Sequence, residues 1–161
     1  MSDVVAELER ERRALLGTIA GIDETMLDRK GVVGDWSIKN VLAHLAGWEE
    51  WIIRALPIML AGGELPEDLR AAARDENRYN REQVAEREEL TPGEQLMELE
   101  RIRATLIEYI RTLDEATLNR PQPWPRWKGT LAEYFFTAVR DHDAEHREML
   151  EAAVAQLPRS L

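Results

Sequence analysis

The chain of 161 residues contains no cysteine. Disulfides, thiolate-bound zinc and cysteine nucleophiles are therefore excluded, and any thiol chemistry needs a thiol supplied from outside. An excess of positive charge is also missing: 21 Lys and Arg against 31 Asp and Glu leave a net charge of −10 with histidine neutral. Nucleic-acid grooves and anionic membrane surfaces both require a basic face, so neither partner is expected. No run of about 18 uncharged apolar residues occurs, which argues against a membrane span. Met1-Ser2-Asp3-Val4 runs directly into a charged amphipathic segment, without the basic start and apolar core of a secretory signal. A cytoplasmic protein is the expectation. Strand signals are absent too. Histidine is scarce, with only three residues, His44, His142 and His146.

What is present is an ordinary globular composition, 44% hydrophobic and 32% charged, sufficient for one domain over residues 1–161. An internal repeat organises it. A shift of 91 residues lays Glu7–Arg29 over Glu98–Arg120 with eleven identities, among them Arg12/Arg103, Leu15/Leu106, Ile19/Ile110, Asp23/Asp114 and Leu27/Leu118. The repeat is too long and too infrequent for a solenoid, and reads as two related helical hairpins.

The first helix is expected over Val4–Ile22 and the second over Ser37–Ala61, capped by Asp35 or Ser37 and stopped at Gly62-Gly63. Pro57 is placed to kink the second helix. The third begins at Thr91-Pro92-Gly93-Glu94, a cap, a first-turn proline and a capping-box glutamate, and runs to about Leu113. The fourth covers about Thr130–Gln156. The charged stretch Glu67–Glu88, between the hairpins, is expected to be helical. The fold class is all-α: a four-helix bundle with a long, partly helical crossover between helices 2 and 3, which permits a topology other than simple up-down-up-down.

The three histidines fall on apolar stripes. Leu131, Phe135, Ala138, His142, His146, Met149 and Ala153 recur at helical spacing, as do Ser37, Val41, His44, Trp48, Trp51 and Ala55. A buried polar group left unpaired costs roughly 1–3 kcal/mol. One metal ion held by His44, His142 and His146 would satisfy all three rings and leave a coordination position open for water or substrate. Imidazole suits zinc, nickel, iron or copper alike. The plainer reading is a set of histidines hydrogen-bonded to Asp141, Glu145 or Glu49. Trp36, Trp48, Trp51, Trp124 and Trp127 are either core and loop anchors or an aromatic wall beside the metal. Asn77 and Asn80 stand in the crossover, within reach of a pocket.

Gly34-Asp35-Trp36-Ser37-Ile38-Lys39-Asn40-Val41-Leu42-Ala43-His44-Leu45 resembles the signature of the DinB/YfiT-like superfamily. Asp141-His142-Asp143-Ala144-Glu145-His146 resembles its second signature, and Glu76-Asn77-Arg78-Tyr79-Asn80 is similar to the crossover of the ClbS/DfsB branch. The resemblance implies a four-helix bundle that is often a homodimer, with a divalent metal, nickel or zinc, on His44, His142 and His146. It also implies one of two activities on a small-molecule substrate: hydrolytic detoxification of an electrophile, as in the ClbS-like branch, or a transfer or isomerisation that depends on a low-molecular-weight thiol. Glu145 and Glu49 are the candidate catalytic acids or bases. Trp36, Trp48, Trp51, Asn77 and Trp127 are the candidate substrate-pocket residues. A binding protein without catalysis is the third expectation.

Overall fold

The structure is a computed structural model and describes residues 2–126 and 128–158. Eight α-helices make up most of these residues: α1 (Ser2–Ile19), α2 (Glu24–Leu27), α3 (Ile38–Leu60), α4 (Glu67–Arg74), α5 (Glu76–Glu86), α6 (Pro92–Thr112), α7 (Glu115–Asn119) and α8 (Phe136–Ala155). The all-α class and the four long helices with a helical crossover between the second and third match the sequence pattern.

Local chemistry sets the boundaries. The Ser37 hydroxyl accepts from the Asn40 amide while the Asn40 side chain accepts from the Ser37 amide, a reciprocal cap that starts α3. Pro57 falls in the last turn of α3, which continues to Leu60 and ends before Gly62 at φ +70°. Thr91 and Glu94 form the expected box at the head of α6, at 2.8 and 3.2 Å. Asp75 interrupts the crossover and caps α5 by accepting from the Arg78 amide at 3.0 Å, so the charged stretch forms two helices rather than one. Asp23 and Asp114, equivalent in the repeat, cap the short helices α2 and α7.

Two features depart from the sequence reading. A minimal antiparallel ribbon pairs β1 (Gln122–Pro123) with β2 (Lys128–Gly129), where the sequence carries no strand signal. Two residues per strand are too few to show alternation. The fourth helix, moreover, opens with a π-helical turn, Leu131–Phe135, capped by the Thr130 hydroxyl. A π-turn holds one residue more than an α-turn and so rotates all later residues of the helix by about 100°. The buried stripe of α8 becomes Phe136, Val139, Asp143, Leu150 and Ala153. Met149, expected inside, is exposed, and His142 and His146 are half-buried beside the stripe rather than at its centre.

The residues group into two compact units, one of Asp23–Leu106 and one of the residues up to Ile22 together with those from Ile107 onward. In the latter, α1 packs along α8. Arg12 reaches both carboxylate oxygens of Asp143 at 3.0 Å, with both side chains buried. Glu7–Arg140 at 3.1 Å and Glu11–Arg147 at 2.6 Å rise in number together, so α1 and α8 run parallel. In the other unit Arg103 of α6 grips Glu49 of α3 through both carboxylate oxygens, again buried. Lys39 donates to the carbonyls of Glu88 and Leu90, so α3 and α6 also run parallel. Arg87 joins α5 to both through Glu50 and Glu98. Burial works against the charge of Arg87, but Glu98 and Glu50 outweigh it and raise its pKa.

Removing one partner of a buried ion pair strands the other and costs about 3–5 kcal/mol, whereas replacing both with apolar residues costs far less. Urea denaturation of Asp143→Leu should show a loss of about that size, and the double variant Arg12→Met/Asp143→Leu should recover most of it. Strictly additive losses would contradict the pairing.

Candidate metal centre

His44 is in the second turn of α3 and is 6% exposed. Its Nδ1 is 3.0 Å from Oδ1 of Asn80 on α5, and the Trp48 indole Nε1 donates to the same oxygen at 2.7 Å. The Trp36 ring stands 5.5 Å from the imidazole, tilted by 48°. The crossover helix α5 is held tightly at this place. The Tyr79 hydroxyl donates to the Gly47 carbonyl at 2.7 Å, and its ring meets the Trp48 edge at 4.8 Å. Burial pushes the Tyr79 phenol above its usual pKa, so it remains a donor. Gln83, one turn on, crosses over Gly47 so closely that a Cβ there would stand 2.4 Å from Gln83 Cγ and 2.8 Å from its Cβ. Glycine at position 47 is what permits the approach.

His142 and His146 lie one turn apart on α8 with ring centroids 4.5 Å apart and planes nearly perpendicular. His146 Nδ1 is 2.8 Å from the His142 carbonyl oxygen. A carbonyl only accepts, so Nδ1 carries the proton and Nε2 the lone pair. His44, His142 and His146 are the histidines that could together hold a metal ion. The donor set, three neutral imidazoles, fits a borderline transition metal.

The remaining candidates are distributed differently. Both carboxylate oxygens of Glu49 are engaged by Arg103. Glu145 is exposed on α8, and Asn77 is exposed on α5; it is Asn80, a turn further on, that faces His44. Trp36 and Trp48 flank His44. Trp51 is buried in an apolar cluster with Ala55, Leu69 and Ala72 and donates to the Leu69 carbonyl at 3.0 Å. It also lines a cleft of about 420 Å³ with Tyr79, Arg54, Arg78 and Arg101, whose walls include none of the three histidines. Trp127 lies outside the described residues. No helix among the described residues is long and apolar enough to cross a membrane.

Residues 7–150 match the family model of the DinB superfamily, and the chain belongs to that superfamily. Its fold is shared with solved structures. An uncharacterised protein from Escherichia coli UTI89 aligns with a TM-score of 0.82 and 14% identity, covering 99% of this chain and 95% of that one. A protein from Streptococcus pneumoniae aligns with a TM-score of 0.75 and 16% identity, covering 94% and 88%. No curated protein matches the chain.

The close approach of α5 makes a direct prediction. Gly47→Ala drives a methyl group into the near end of Gln83, and overpacking of this kind costs about 1–3 kcal/mol. The midpoint of urea unfolding, monitored by tryptophan fluorescence, should fall accordingly. An unchanged midpoint would contradict the close packing of α5 on α3.

Proposed function

We propose that this member of the DinB superfamily is a metal-dependent enzyme that acts on a small electrophilic molecule. The observation that supports this reading is the donor set: His44, His142 and His146, all within the matched residues 7–150, could together hold a metal ion. Those residues would hold a divalent ion, nickel or zinc. Such an ion, when bound, supplies Lewis-acid activation of a nucleophile or of the group under attack. The chain's own residues contribute the rest. The tilted Trp36 ring and the Trp48 indole give His44 an apolar flank that favours an uncharged substrate and excludes water. Glu49 is bound to Arg103 and Glu145 is exposed, so neither is placed as the general base at the histidines.

The chain has no cysteine, so a thiol nucleophile would come from outside, and water suits the site equally well. The resemblance of the Glu76–Asn80 crossover to the ClbS/DfsB branch favours water, and with it hydrolytic detoxification. Transfer to a low-molecular-weight thiol is the second reading.

Metal analysis by mass spectrometry tests the premise. Untagged protein should retain about one nickel or zinc per chain, and His142→Ala/His146→Ala should retain none. Turnover of epoxide and cyclopropane probes by the loaded protein should then proceed without thiol. Strict dependence on thiol would replace hydrolysis with transfer. Failure to take up either metal would overturn the metalloenzyme reading.

A further inference from the structure

Asn80 belongs to the crossover, not to the helices that carry the histidines, yet its side chain makes a hydrogen bond from α5 directly to a proposed metal ligand. Trp48 decides which atom of the amide faces His44. An indole Nε1–H only donates, so the Asn80 atom 2.7 Å from it is the carbonyl oxygen, not the amide nitrogen. That same oxygen is 3.0 Å from His44 Nδ1. An oxygen already accepting from Trp48 can meet a second nitrogen only if that nitrogen also donates. His44 Nδ1 therefore carries the proton, and in the neutral ring Nε2 carries the lone pair.

We infer that Asn80 is a positioning residue. Oriented by Trp48, it fixes His44 as the Nδ1–H tautomer with Nε2 as its ligating nitrogen, so that the crossover helix governs metal affinity without supplying a ligand. The inference deepens the metalloenzyme reading and rests on it for its consequence, though not for the tautomer. Three features of the fold serve this contact. Gly47 lets α5 approach, Tyr79 ties it to the α3 backbone, and Asp75 sets where α5 begins and hence which way Asn80 points. His146 reaches the same state by a different route, through its own helix's carbonyl, so two of the three rings present Nε2 with Nδ1 protonated. Partners that orient ligating imidazoles in this way typically change metal affinity by about 10–100-fold when removed.

The test has two readings. In metal-free protein held with chelator at pH 8, long-range proton–nitrogen correlation spectra should show His44 with a protonated Nδ1 and a bare Nε2. Asn80→Leu should lose that pure tautomer, and Asn80→Asp should keep it. Competition against a chromophoric chelator, with nickel alone and zinc alone as probes, should then show weakening by about 10–100-fold in Asn80→Leu and wild-type or tighter binding in Asn80→Asp. Circular dichroism of each variant guards against unfolding. A wild-type His44 protonated at Nε2, or a tautomer indifferent to Asn80→Leu, overturns the inference whether or not metal binds. The predicted tautomers combined with no metal uptake in the wild type would leave the positioning contact standing and refute the metalloenzyme reading instead.

Discussion

A buried arginine reaching across to a buried carboxylate constrains each unit of this protein. Arg12 holds Asp143 and Arg103 holds Glu49, each through both carboxylate oxygens. Bidentate pairs tolerate little rotation or slippage of the helices that carry them, so they specify register even where their net stabilisation is small. Asp143 is next to His142 and one turn before His146; Glu49 lies five residues beyond His44. The rotation of α8 that seats Asp143 against Arg12 is therefore the rotation that leaves the paired histidines half-buried at the edge of its apolar stripe.

The two pairs are equivalents of one another. Arg12 and Arg103 coincide in the 91-residue repeat. Ser37 and Thr130, which cap the second helix of each half, are 93 residues apart, and the π-turn after Thr130 adds one more residue to the later helix. Glu49 and Asp143 are then 94 apart and occupy corresponding places. Each unit thus joins the first long helix of one sequence half to the second long helix of the other, running parallel. A connection as long as α4 and α5 is what allows parallel neighbours, which short hairpin loops forbid.

Much of this was readable in the residues. Thr91-Pro92-Gly93-Glu94 announced α6, the repeat announced related hairpins, and His142 and His146 stood out by spacing and scarcity. The failures have physical causes. The expected stripe through His142 and Met149 assumed an unbroken 3.6-residue period, and one inserted residue in a π-turn rotated it. Nothing in the local sequence marks that turn. The roles of Arg12 and Asp143 are invisible because they are 131 residues apart and each looks like a solvated charge. Asp23 and Asp114 matched in the repeat, but the helices they cap are about a single turn long, too short to carry a periodic signal. Asn80 rather than Asn77 faces His44 because Asp75 restarts the helix, a boundary that a uniformly charged stretch does not reveal.

Glu49 is committed to Arg103, while Trp36, Trp48 and Asn80 stand beside His44. Chemistry at such a site depends on what the imidazoles hold. X-ray absorption at the metal edge of the nickel- or zinc-loaded protein tests this most directly. Three imidazole nitrogens are expected at about 2.0–2.1 Å from the metal. A shell of oxygen ligands, with one imidazole or none, would contradict it.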